Sequence, residues 1–154
     1  YVETQGRNSM PSLRRTDIER LLKIIDFCEA ELSDIEKYKG LTLLIYKEDR
    51  EKRRSVERWI ENIVNASLDI AKVILVAKNK ELPDTYKEYF LEICSIGLIN
   101  EETAEKLAEG VKIRNILAHQ YLDLKWGNIE RFILDGYKAY LDLLILSKKF
   151  IKNI

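Results

Sequence analysis

Apolar residues recur at helical spacing along almost the whole chain. Ile18, Leu21, Leu22, Ile25, Leu32 and Ile35 fall on one face, as expected of an α-helix that buries a single stripe. Thr16 with Glu19 predicts a capping box at its start, and Gly40 predicts its end. Leu41 to Tyr46 reads as a short apolar connector. A longer stripe of Val56, Ile60, Ile63, Ile70 and Ile74 predicts a second helix over about 49–80, ended by Pro83.

Thr85 and Glu88 repeat the capping-box spacing ahead of Tyr86, Tyr89, Phe90 and Ile93, which predicts a short helix closed by Gly97. Asn100, followed by Glu101 and Glu102, predicts the start of a fourth main segment, with an amide N-cap and carboxylates where the helix dipole favours them. From about 126 to 149, Ile129, Phe132, Ile133, Tyr137, Tyr140, Leu141, Leu144 and Ile145 share one face. No stretch alternates apolar and polar residues long enough to argue for a strand. The pattern predicts an all-α, up-and-down bundle of four main helices and one short one.

Composition narrows the class. At 154 residues, with 46% hydrophobic and 34% charged, the chain fits one domain able to bury a core without disulfides or a structural metal. Its 26 basic and 26 acidic residues cancel, so any nucleic-acid contact must be local rather than driven by a global positive field. Cys28 and Cys94 show no CxxC spacing and lie in helical patterns; they are expected to be reduced, buried thiols of a cytoplasmic protein. Apolar runs such as Leu143 to Leu146 fall far short of the roughly 18 residues that suggest a membrane span. Residues 1–9 precede Met10, the only methionine, and are expected to be a remnant ahead of the natural start, leaving 10–154 as the domain.

Candidate chemistry gathers at His119, the single histidine, within the string from Arg114 and Asn115 to Tyr121. Imidazole gives and takes protons near neutrality, and a guanidinium supplies a permanent cation for phosphate oxygens; together they point to a phosphodiester. On an unbroken helix Arg114 would lie roughly 140° from His119. Either the helix ends between them, or a second copy faces the first across a dimer interface. The dimer is favoured, because attack by a ribose 2′-OH needs one proton removed and another delivered, and one chain carries one histidine. A two-fold axis would supply two histidines and two arginines.

Plainer readings stand beside these. A lone histidine followed by Gln-Tyr at a helix end also reads as a C-terminal cap, and Tyr121 as a packed aromatic. Arg50, Arg54 and Arg58 form a basic stripe, but Glu51, Glu57 and Glu61 interleave it, so a solvated face laced with ion pairs is expected ahead of an RNA-guiding surface. Trp59 is expected to pack in the core or at a dimer contact. The sequence has no Gly-rich phosphate loop, no HExxH, no zinc-spaced Cys/His cluster and no GxSxG, so neither a metal nor a cofactor is expected.

The string Arg114-Asn115-Ile116-Leu117-Ala118-His119-Gln120-Tyr121 resembles the Arg-x4-His-x-Tyr motif of HEPN-domain proteins. More narrowly it resembles HepT-like toxins paired with minimal nucleotidyltransferase (MNT) antitoxins. The likeness extends to Arg58–Ile63, Ala66–Ala71 and Lys112–Asn115, and so over most of the chain from Met10. The resemblance implies the toxin of a type VII-like toxin–antitoxin pair: a metal-independent endoribonuclease and homodimer, with Arg114, His119 and Asn115 at the catalytic site. It implies Tyr121 as the residue that the MNT partner modifies with AMP, which would block RNA by charge and bulk. Asp69 is a weaker carry-over, a carboxylate that would orient His119 if the fold brings them together. The alternatives are a non-catalytic HEPN module that binds a nucleotide or partner, and a purely structural dimeric bundle.

Overall fold

A computed structural model describes residues 14–119 and 121–153, and every regular element among them is helical. The expected remnant at 1–9, the start at Met10 and the motif residue Gln120 lie outside the described residues. The elements are α1 (Arg15–Ser33), α2 (Ile35–Tyr38), α3 (Leu43–Glu48), α4 (Arg50–Ala77), α5 (Tyr86–Ser95), α6 (Glu101–Ile116) and α7 (Leu122–Arg131). A π-helical turn, Phe132–Gly136, then leads directly into α8 (Tyr137–Lys152). The four main segments and the short α5 are those the periodicity predicts.

Several boundaries differ, each for a local reason. The helix that begins at Arg15 takes Thr16 inside its first turn, and its N-cap, Arg14, makes no side-chain capping bond. The capping box at Thr16 therefore does not form. It ends at Ser33 rather than Gly40, because the chain turns at Asp34, whose N–H bonds back to Glu31, before α2 starts. The supposed connector at 41–46 contains α3 instead, capped by the Thr42 hydroxyl, which accepts from the Ile45 N–H at 3.2 Å. Thr85 stands at the N-cap of α5 as expected, but without a side-chain capping bond. Asn100 does cap α6, accepting from the Thr103 N–H at 2.8 Å.

Helix α4 stops before Pro83 is reached. Asn79 adopts a left-handed φ of 55°, and the Lys80 and Asn79 N–H groups bond to Leu75 and Val76 carbonyls, a Schellman termination. Gly97, at φ 87°, closes α5 in the same way, with Leu98 bonding to Ile93 and Gly97 to Cys94. The last segment starts at Leu122, one turn ahead of Trp126, and its π turn presents the Phe132 ring edge-on to Trp59 at 5.5 Å.

Helix α4 is the spine. Val56, Ile60, Ile63, Ile70 and Ile74 are fully buried, and each contributes about 1.5–3 kcal/mol. The most extensive pairings are α1 against α4 and α5 against α6, with α8 closing over both halves. Cys28 is buried as expected, whereas Cys94 is only half-buried. Trp59 is core: it is 2% exposed, stacks on Tyr38 and donates its indole N–H to the Glu31 carbonyl. No helix among the described residues is long and apolar enough to cross a membrane.

Candidate active site

Helix α6 ends between the two motif residues. After Ile116 the Ala118 and His119 N–H groups bond three residues back, to Asn115 at 3.3 Å and Ile116 at 2.9 Å, tightening the chain out of α-helix. Leu117, 5% exposed, anchors this end in the core. His119 therefore sits in a bend, exposed, while Arg114 remains in the last turn of α6, half-buried. The helix thus breaks between Arg114 and His119, one of the two arrangements considered for them.

The Arg114 guanidinium is held from two sides. Its Nη1 donates to Asn65 Oδ1 on α4 at 2.8 Å. Its Cζ lies 5.1 Å from the centre of the Tyr86 ring on α5, within cation–π range. Lys72 of α4 approaches the same ring at 6.0 Å, and Tyr89 meets it edge-on at 5.6 Å. Three helices thus converge on one cation near the end of α6.

The other described motif residues follow it in the chain without bonding to it. Asn115 is exposed on α6. Tyr121 is 76% exposed and stands at the N-cap position of α7, with its carbonyl accepting from the Lys125 N–H at 3.2 Å. Among the described residues, no side-chain hydrogen bond or ion pair joins Arg114, Asn115, His119 and Tyr121 to one another.

Asp69 is not bonded to His119. It lines a shallow pocket of about 270 Å³ with Lys23, Phe27, Asn62 and Asn65. Asn65 belongs to both this pocket and the Arg114 contact. A larger apolar pocket of about 320 Å³, between α6 and the π turn, contains none of the motif residues.

The basic stripe on α4 differs from expectation. Arg54 and Arg58 are exposed, as a solvated face requires, but they form no ion pairs with Glu51, Glu57 or Glu61. Glu57 instead turns inward to Lys125 and to the Tyr46 hydroxyl. No group of His, Cys, Asp and Glu among the described residues is arranged to hold a metal ion.

Sequence reading missed Asn65 and Tyr86. Asn62, Asn65, Asp69 and Lys72 do form a polar stripe at helical spacing along the mostly apolar second half of α4, but such a stripe reads equally as solvent face. Tyr86 reads as part of the apolar face of α5, yet it is 46% exposed.

A family profile described as "Ribonuclease HepT-like" matches residues 28–144. The tRNA nuclease HepT of Aphanizomenon flos-aquae is 27% identical over 134 residues, spanning 85% of this chain and 89% of its own. The tri-AMPylated HEPN toxin of Shewanella oneidensis, solved in complex with an MNT antitoxin, superposes with a TM-score of 0.71 at 18% identity, covering 89% of this chain and 99% of that one. The cytosolic protein YutE of Bacillus subtilis superposes at 0.74 with 17% identity over 94% of each chain. At these identities the solved structures speak for the fold, which is that of the all-α HEPN toxins.

Proposed function

The chain belongs to the HepT-like ribonuclease family, and from that premise we propose that it is the toxin of an MNT–HEPN toxin–antitoxin pair, cutting RNA without a metal ion. The observation that carries this reading is the end of α6 at Ile116. It leaves a proton-transfer group, His119, exposed in a bend five residues after a cation, Arg114, that α4 and α5 hold in place.

The chemistry follows from these groups. A ribose 2′-oxygen attacks the adjacent phosphorus as its proton passes to an imidazole, and the 5′-oxygen leaves with a proton from a second imidazole. The products are a 2′,3′-cyclic phosphate and a 5′-hydroxyl end. Arg114 stabilises the extra negative charge on the phosphorane-like transition state, and Asn115 offers an amide at the same helix end. One chain has one histidine, so the second comes from a two-fold related copy, and the working unit is a homodimer. Transfer RNA is the proposed substrate class, after the relative that is named for it.

Tyr121 is the proposed site of AMP attachment by the MNT partner. Its 76% exposure leaves the phenol open to another enzyme's active site, and the added phosphate would stand beside the Arg114–His119 loop, repelling RNA.

Purified protein incubated with total tRNA and EDTA tests the reading. Cleavage is expected to persist in EDTA and to disappear in both Arg114→Ala and His119→Ala. Intact tRNA with the unsubstituted protein, or full cleavage by both variants, would overturn the nuclease reading.

A further inference from the structure

We infer that Asn65 and Tyr86 are positioning residues that aim the Arg114 guanidinium at the scissile phosphate while leaving its charge uncompensated. This deepens the ribonuclease reading and rests on it. An arginine at the end of a helix has many rotamers open to it, and catalysis needs one of them held. Asn65 Oδ1 takes a single N–H of Nη1 at 2.8 Å, and the Tyr86 ring lies under Cζ at 5.1 Å. One contact restrains the fork through Nη1 and the other restrains where Cζ can lie.

The choice of holders matters as much as their number. Arginine is most often oriented by a carboxylate, which presents two oxygens to its fork, but such a partner would cancel the charge that the phosphate needs. Both holders here are neutral. Asp69 stands one helical turn beyond Asn65 and makes no ion pair with Arg114, nor does any other carboxylate among the described residues. An arginine has five N–H donors. Since Asn65 engages one of them, the rest can take two phosphate oxygens in a bidentate pair.

The test uses the full chain and total tRNA, with cleavage rates, salt dependence and melting temperature measured together. Asn65→Ala and Tyr86→Leu are expected to lower kcat about tenfold without lowering the melting temperature, since both side chains are exposed. Tyr86→Phe, which keeps the ring face, restores most of what Tyr86→Leu loses. Asn65→Asp separates the inference from a structural role: it preserves shape and hydrogen bond but pairs with Arg114. It is expected to raise KM about tenfold and to reduce the slope of log KM against log salt by about one phosphate contact. Full activity and an unchanged salt slope in Asn65→Asp would overturn the inference, as would full cleavage by both Asn65→Ala and Tyr86→Leu. Arg114→Ala in the same assay distinguishes the two levels. If it cleaves fully, the ribonuclease reading has failed; if it is inactive while the Asn65 and Tyr86 variants cleave at the unsubstituted rate, only the positioning inference has.

Discussion

Glu57 and Lys125, separated by 68 positions, meet as an ion pair at 3.5 Å with side chains only 16% and 11% exposed. Glu57 also accepts from the Tyr46 hydroxyl, and the Tyr46 ring stacks on Trp126 at 5.5 Å. The pair therefore ties α3 and the first turn of α7 to the spine helix. The Lys125 N–H bonds to the Tyr121 carbonyl, so the turn it anchors is the one that carries the motif tyrosine.

Removing one partner leaves the other charge in a poorly hydrated site. Lys125→Ala is expected to lower the unfolding free energy by about 2–3 kcal/mol. Glu57→Gln, which keeps an acceptor for Tyr46, is expected to cost less. Urea denaturation of the two variants checks the order.

Gly110 is required by a close approach. A Cβ there would lie 1.7 Å from the Tyr140 hydroxyl and 2.8 Å from its Cζ, while that hydroxyl donates to the Leu107 carbonyl at 3.0 Å in the core. Alanine favours helix over glycine by about 1 kcal/mol. The clash outweighs this gain, and Gly110→Ala is expected to destabilise by about 2 kcal/mol net. Adding Tyr140→Phe should recover only part of the loss, because the ring carbon still crowds the new methyl. Thermal melts of the single and double variants decide it.

Stability is expected to fall in alkali through buried acids. Burial, and after it the charges of Glu31 and Glu29, push the Cys28 thiol from its ordinary 9.0 up to about 12. Above pH 9 the unfolded chain releases this proton and the folded chain keeps it, so folding loses stability as pH rises, at a rate approaching about 1.4 kcal/mol per pH unit. Burial likewise raises the Tyr46 and Tyr140 phenols above their ordinary 10.0, which steepens the loss beyond pH 10. Below pH 9 none of these groups contributes a slope. Denaturation at stepped pH should show the decline, and Cys28→Ala should flatten it between pH 9 and 10.

Tyr121 can be separated from the chemistry. Its side chain is 76% exposed and makes no capping bond, so Tyr121→Phe is expected to fold with an unchanged melting temperature. It should keep cleaving tRNA yet gain no mass of AMP when produced together with an MNT nucleotidyltransferase. A mass increase of one AMP on the Phe variant would place the modification elsewhere.

Much of the bundle is legible along the chain because its causes are local. Stripes at three- and four-residue spacing define α1, α4, α5 and the last segment, the start of α6 is read from Asn100, and Asn100 and Gly97 mark real helix ends through bonds to neighbours a few residues away. Where expectation and structure part, a competing local bond decides: the turn at Asp34, the Thr42 cap and the Schellman closure at Asn79. The motif from Arg114 to Tyr121 is equally readable, since it is a continuous string.

What that string lacked was its surroundings. Helical periodicity says which side of α4 holds Asn65, but not that Arg114, 49 positions later, would be its partner. Nor does it say that Tyr86 would leave the apolar face for the guanidinium, or that Glu57 would turn from a charged stripe to Lys125. Local propensities depend on residues within a turn or two, whereas these contacts depend on how three or more helices pack, and packing is settled by the burial of all their faces at once.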